Sequence, residues 1–224
     1  MLMETKWLRR KRNSLGYGVQ SPGDFFFVQH VLREESPYYG YATLEELTKE
    51  YSTSMPCYPE ATGRLLFRIA NHVHPDRIVE VGAGLSVFAM AMACPSARCI
   101  AITPSSTVAS AMQSLLPDYP RIEIRNADEM ETFCQVLHEE GGIGLLHVAH
   151  TPYYRETVEA ALSYVTDRTL MVIEGLNDSR EKLDWWKELH ENRQVGVCYD
   201  LDTVGLLFFD RSRHKNTYWI NLKG

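Results

Sequence analysis

The chain has no Cys-x-x-Cys pair, no Gly-Lys-Ser/Thr and no Gly-x-Ser-x-Gly. Each absence removes a class of protein. Five cysteines occur, Cys57, Cys94, Cys99, Cys134 and Cys198, odd in number and scattered. That pattern argues against a disulfide framework or a zinc site and for reduced thiols in a cytoplasmic protein. Without a Gly-Lys-Ser/Thr loop the chain is not a P-loop ATPase, and without the serine elbow it is not a hydrolase of that type. An apolar run of ~20 residues, the length that spans a bilayer, is also missing. The basic cluster Lys6, Arg9, Arg10, Lys11 and Arg12 runs into Asn13-Ser14-Leu15-Gly16-Tyr17-Gly18 and not into the apolar core of a signal peptide.

Positive charge is in deficit. Lysine and arginine number 23 against 29 acids, a net charge of −6, which argues against a protein that coats nucleic acid through its overall field. The basic cluster reads as a solvated helix face; an RNA or DNA contact arm is the competing reading.

What is present is ordinary globular material. The 224 residues are 45% hydrophobic and 23% charged, enough for one core and short for two. Residues 1–75 carry turn signals, many aromatics and helical stripes, the clearest being Leu65, Leu66, Ile69, Ala70 and Val73. They read as a helical cap within the same domain. Residues 76–224 change rhythm. Short apolar strands at Ile78–Val81, Cys99–Ile102, Ile122–Ile124, Leu145–Val148 and Leu170–Ile173 alternate with helices, which predicts a parallel sheet covered on both faces. Val195–Tyr199 and Val204–Phe209 are too close for a crossover helix and form an antiparallel hairpin. A final strand is expected at Tyr218–Leu222.

Ligands bind such sheets at the carboxyl ends of the strands. The first strand ends in Glu80-Val81-Gly82-Ala83-Gly84, where the glycines let a ligand approach the backbone. A dinucleotide loop wants a third glycine, and that position is Val87. An acidic-x-Gly-x-Gly turn with a reversed last hairpin fits an S-adenosylmethionine loop better.

With these residues in view, the chain resembles the class I S-adenosylmethionine-dependent methyltransferases related to small-molecule O-methyltransferases, specifically a bacterial subgroup common in the Bacteroidetes. Tyr17-Gly18-Val19-Gln20-Ser21-Pro22 is similar to that subgroup's His-Gly-x-His-Ser-Pro signature, and Tyr38-Tyr39-Gly40-Tyr41 to its Tyr-Tyr-x-Tyr. Gly63–Arg68 resembles the helix entering the first strand, and Asp200–Phe209 the last hairpin. The resemblance implies a Rossmann-like three-layer sandwich with a mostly parallel seven-stranded sheet, a C-terminal antiparallel hairpin and an N-terminal helical cap. It implies O-methyl transfer to a small molecule, with no membrane and no nucleic acid as partner; a homodimer stays open.

The same resemblance places the cofactor over Glu80, Gly82, Ala83, Gly84, Thr103 and Asn126, the last beside adenine. Departures from the family pattern are specific. Thr103-Pro104 stands where a ribose-binding acid ends the second strand, and a hydroxyl cannot give the bidentate acceptance a carboxylate does. His147 replaces an acid on the fourth strand, followed by a matching His150-Thr151 pair. Glu174-Gly175 ends the fifth, with Asn177 and Asp178 following. The catalytic candidates are therefore His147, His150 and Glu174, as general base toward a hydroxyl. A soft metal on these three is the rival to plain polar strand ends; magnesium, which wants oxygen ligands, suits them poorly, and no metal is expected.

Three further readings follow. The tyrosines Tyr17, Gln20 beside them, Tyr38, Tyr39 and Tyr41 form either a lid or cap packing. His72, His74, His138, His190 and His214 read as surface residues. Loss of the ribose acid favours a second function class, a methyltransferase fold kept as a binding or regulatory module; a nucleic-acid methyltransferase using the basic arm is a third.

Overall fold

The computed structural model describes residues 6–55 and 60–222, so Cys57 lies outside the described residues. The cap holds helices α1 (Lys6–Ser14), α2 (Pro22–Phe27, continued by a π turn over Val28–Leu32), α3 (Gly40–Tyr51) and α4 (Glu60–Val73). Strands and helices then alternate: β1 (Arg77–Val81), α5 (Ser86–Ala93), β2 (Arg98–Thr103), α6 (Ser106–Gln113), β3 (Ile122–Asn126), α7 (Glu129–Glu140), β4 (Leu145–Val148), α8 (Tyr154–Ala161), β5 (Leu170–Glu174) and α9 (Arg180–His190). The chain ends in β6 (Val197–Asp200), β7 (Val204–Phe208) and β8 (Asn216–Trp219).

The strands form one sheet in the order β3-β2-β1-β4-β5-β7-β6-β8. The first five are parallel, and β7 runs antiparallel to both β5 and β6. The sheet has eight strands and not seven, because the last one pairs parallel with β6, its span starting two residues before the expected Tyr218. The order reverses between β1 and β4, and that switch point opens a crevice at the carboxyl ends.

Period-two alternation sends successive strand residues to opposite faces. One face, with Ile78, Cys99, Ala101, Leu145, Val172 and Leu206, packs against α4, α5, α6 and the cap. The other, with Val79, Ile100, Leu146, Met171 and Leu207, packs against α7, α8 and α9. Both tryptophans of α9 are core residues, Trp186 fully buried and Trp185 nearly so. His190, expected at the surface, is buried and meets Trp186 edge-on at 4.6 Å. The helical period carries it there, four residues after Trp186.

The basic cluster is not wholly a solvated face. Arg10 Nη2 lies 2.6 Å from Asp200 Oδ1, and Arg10 Nη1 donates to the carbonyls of Asp200 and Ile220. Arg9 stacks over the Trp219 ring at 3.8 Å. These contacts tie α1 to β6 and β8 and withdraw two cations from any contact arm. Tyr38 and Tyr41 pack around Phe67, and Tyr39 meets its edge while its hydroxyl donates to the Met92 carbonyl. For Tyr38 and Tyr41 the packing reading holds; Tyr39 and Tyr17 stay exposed.

Candidate functional site

The glycine turn is built by its own acid. Glu80 is fully buried in β1, and its Oε1 accepts the Gly84 N–H at 3.0 Å and the Ser86 hydroxyl at 2.6 Å. The N–H groups of Gly82 and Ala83 donate to the Ile102 carbonyl of β2. Gly82 takes φ +79°, and a Cβ there would press on Thr151 and Ala149 at 3.3 and 3.6 Å. Only glycine accommodates both demands. α5 starts directly after the turn with no side-chain cap, whereas α6 is capped by Ser105, α7 by Asp128 and α9 by Ser179. Uncapped helix N-termini favour anions.

The neighbouring strand ends are committed locally. Thr103 is buried, and its hydroxyl accepts the Ser105 N–H at 3.3 Å. Asn126 is exposed at the end of β3, and its Nδ2 donates to the Thr103 carbonyl at 2.9 Å, leaving Oδ1 to accept from a ligand. β2 carries no carboxylate, and Pro104 follows it directly.

The three catalytic candidates come together, joined by two residues outside the candidate set. β4 lies between β1 and β5, with His147 level with Glu80 on one side and with Val172, two residues before Glu174, on the other. His147 Nδ1 is 3.3 Å from Glu80 Oε2, and His147 Nε2 is 2.8 Å from Glu174 Oε1. Glu174 Oε2 is 3.3 Å from His150 Nε2, and His150 Nδ1 is 3.1 Å from Asp178 Oδ2. Lys182 Nζ follows at 3.8 Å from the same Asp178 oxygen, over the Tyr154 ring. The result is a row of alternating sign, Glu80, His147, Glu174, His150, Asp178, Lys182, running from the glycine turn to the start of α9. Gly175, at φ +68°, makes the turn possible, since a Cβ there would collide with the Asp178 carboxylate.

Burial grades the row. His147 and Glu80 see no solvent and Glu174 almost none, while His150 is half exposed. Burial alone would lower the His147 pKa, but the hydrogen bond with Glu174 and the nearby Glu80 carboxylate prevail and push it up to about 10. Both ring nitrogens face carboxylates, an arrangement that favours the imidazolium form. Burial likewise works to raise the Glu174 carboxyl; bonds from His147 and His150 outweigh it and hold the group low. His150 is raised by its hydrogen bond to Glu174, against its partial burial. Burial lowers Lys182, opposed by Asp178 and Glu174. Asp178, named behind the fifth strand without a role, and Lys182, not named at all, complete the row. Their i,i+4 spacing behind the Ser179 cap was the available signal.

A raised histidine contributes stability that is complete below its unfolded value, near 6.5, and is lost as pH rises through its folded value. For His147 that window is pH 6.5 to about 10. His72 and His190, both lowered by burial, lose their contribution only on acidification. The urea stability of the protein should therefore fall by on the order of 1–2 kcal/mol between pH 7 and pH 9. The His147 share of the slope should vanish in His147→Gln, leaving the part contributed by His150 and the buried thiols Cys94, Cys99 and Cys198; equal slopes in both proteins would refute the assignment.

Comparison with known proteins bears on the fold. No sequence-family model matches the chain, and no curated sequence matches it. Solved structures do. The SAH-bound methyltransferase PaMTH1 of Podospora anserina superposes with a TM-score of 0.66 at 16% identity, covering 84% of this chain and 96% of that one. The O-methyltransferase of Bacillus cereus in complex with SAH gives 0.63 at 16%, over 80% and 96%. The O-methyltransferase TomG of Streptomyces achromogenes in complex with SAM gives 0.61 at 17%, over 78% and 91%. The sheet order, the reversed hairpin and these superpositions agree: the chain has the Rossmann-like methyltransferase fold.

Proposed function

We propose that the protein is an S-adenosylmethionine-dependent methyltransferase of the Bacteroidetes-type subgroup, transferring a methyl group to an oxygen of a small molecule. One observation carries the reading. A glycine turn locked by a buried acid stands at the switch point, one strand over from a half-exposed histidine backed by two carboxylates.

The residues fit the cofactor at three places. Gly82 provides a surface without Cβ, the uncapped start of α5 favours a carboxylate, and Asn126 Oδ1 suits the donor edge of adenine. When bound, S-adenosylmethionine supplies an electrophilic methyl on a sulfonium. The chain's task is then positioning and proton removal. His150 can take the proton of an acceptor hydroxyl on Nδ1 once the half-exposed Asp178 carboxylate gives that nitrogen up, while the buried Glu174 holds Nε2 and raises the ring's proton affinity. Asp178 is half exposed, so the proton has an outlet to water. His147 and Glu174 are too buried to touch an acceptor and act through His150.

The second reading, a binding or regulatory module, is favoured by the turn's closure. Ala83, Gly84, Leu85 and Ser86 are buried and only Gly82 is partly open, beside a β2 end with no ribose acid. Thermal unfolding separates the two. S-adenosylmethionine or S-adenosylhomocysteine at 100 times its Kd stabilises by about 2.7 kcal/mol. A raised midpoint with both supports methyl transfer; no change at millimolar ligand supports the module.

A further inference from the structure

The row of charges contains one cation with no access to water. His147 sits in the middle of the sheet, in β4, with no exposed surface. Its nitrogens face carboxylates on the two flanking strands, Glu80 of β1 at 3.3 Å and Glu174 of β5 at 2.8 Å. Each carboxylate has a second duty. Glu80 holds the Gly84 N–H and the Ser86 hydroxyl, which shape the turn and the start of α5. Glu174 faces His150, which in turn faces Asp178 and, beyond it, Lys182. Two carboxylates this deep stay charged only with a cation between them; without it one takes up a proton or leaves its place.

We propose that His147 is a positioning residue that couples the glycine turn to His150: clamped between Glu80 and Glu174, it fixes the turn on one side and the base on the other. The purpose of the coupling rests on the methyl-transfer reading, but the coupling itself is a property of the chain without ligand. It requires reciprocity. A ligand that moves the turn changes the proton affinity of His150, and protonating His150 changes the ligand's affinity by the same factor. Glutamine at 147 can donate from one amide to one neighbour but carries no charge, so it cannot hold both strands.

The test compares wild type with His147→Gln. On ligand-free protein, the His150 imidazole is titrated by NMR and exchange of the Gly84 amide is measured. The variant should show His150 titrating about one pH unit lower, a tenfold change in its protonation equilibrium. Gly84 should exchange about tenfold faster, since its acceptor is no longer held. If His147 only packs the core, the unfolding midpoint falls while His150 and Gly84 behave as in wild type, and the proposal is overturned.

Should the variant not fold, wild type alone decides. The ring of His147 should keep protons on both nitrogens from pH 6 to pH 8; a singly protonated ring would leave one carboxylate without its donor and overturn the proposal. Calorimetry with S-adenosylhomocysteine then separates this inference from the reading it rests on. If wild type binds none, methyl transfer fails, while the titration and exchange results still judge the coupling.

Discussion

Alanine at His150 should lower the rate of methyl transfer by about 10²- to 10⁴-fold, the range that a general base contributes. The pH profile carries the sharper signature. The base works in its neutral form, and the hydrogen bond to Glu174 raises its pKa above the ordinary histidine value. The wild-type rate should therefore climb with pH through a titration above 6.5 and then level off. The alanine variant should lack that climb. A variant that keeps both the rate and the profile would remove His150 from the chemistry.

The largest stability effect should come from a residue outside the site. Asp24 of α2 is buried at 3% exposure, and it is the acceptor for three donors from β6, β8 and the turn before β8. Tyr199 donates to its Oδ1 at 2.8 Å, Tyr218 to its Oδ2 at 3.1 Å, and Arg213 forms an ion pair with it. Asp24→Leu leaves a partly buried guanidinium and two buried hydroxyls without an acceptor. Removing one partner of a buried pair costs about 3–5 kcal/mol, to be read as a drop in the urea midpoint. Tyr199→Phe, which deletes one donor and leaves Asp24 two, should cost about 1 kcal/mol. A loss below about 1 kcal/mol for Asp24→Leu would show that the cap is not held through this residue.

The fold was legible where one signal dominated. Short apolar strands between helices, followed by two strands too close for a crossover, leave few arrangements, and the sheet order with its reversed β7 is among them. The eighth strand was expected two residues late because Asn216 and Thr217 are not apolar; β8 pairs through its backbone at the sheet edge. His190 was misplaced because an isolated histidine has no periodic partner to mark it, although Trp186 four residues earlier supplies the buried face. At the site, strand ends can be read, and His147, His150 and Glu174 lie side by side. Their order of burial was not readable. Which histidine is clamped and which is open depends on β4 lying between β1 and β5, a long-range fact. Arg10 shows the same limit, since its partner Asp200 lies 190 residues away.

On the proposed reading, the turn at Glu80–Gly84 and the exposed face of His150 are two parts of one methyl-transfer site. A crystal structure of the protein with S-adenosylhomocysteine tests it most directly. The ligand should lie across Gly82 at the carboxyl edge of β1, its adenine beside Asn126 and its sulfur facing His150. Density for the ligand elsewhere, such as the cavity of about 880 Å³ beside Arg64 and Thr203, or an empty turn at millimolar ligand, would contradict it.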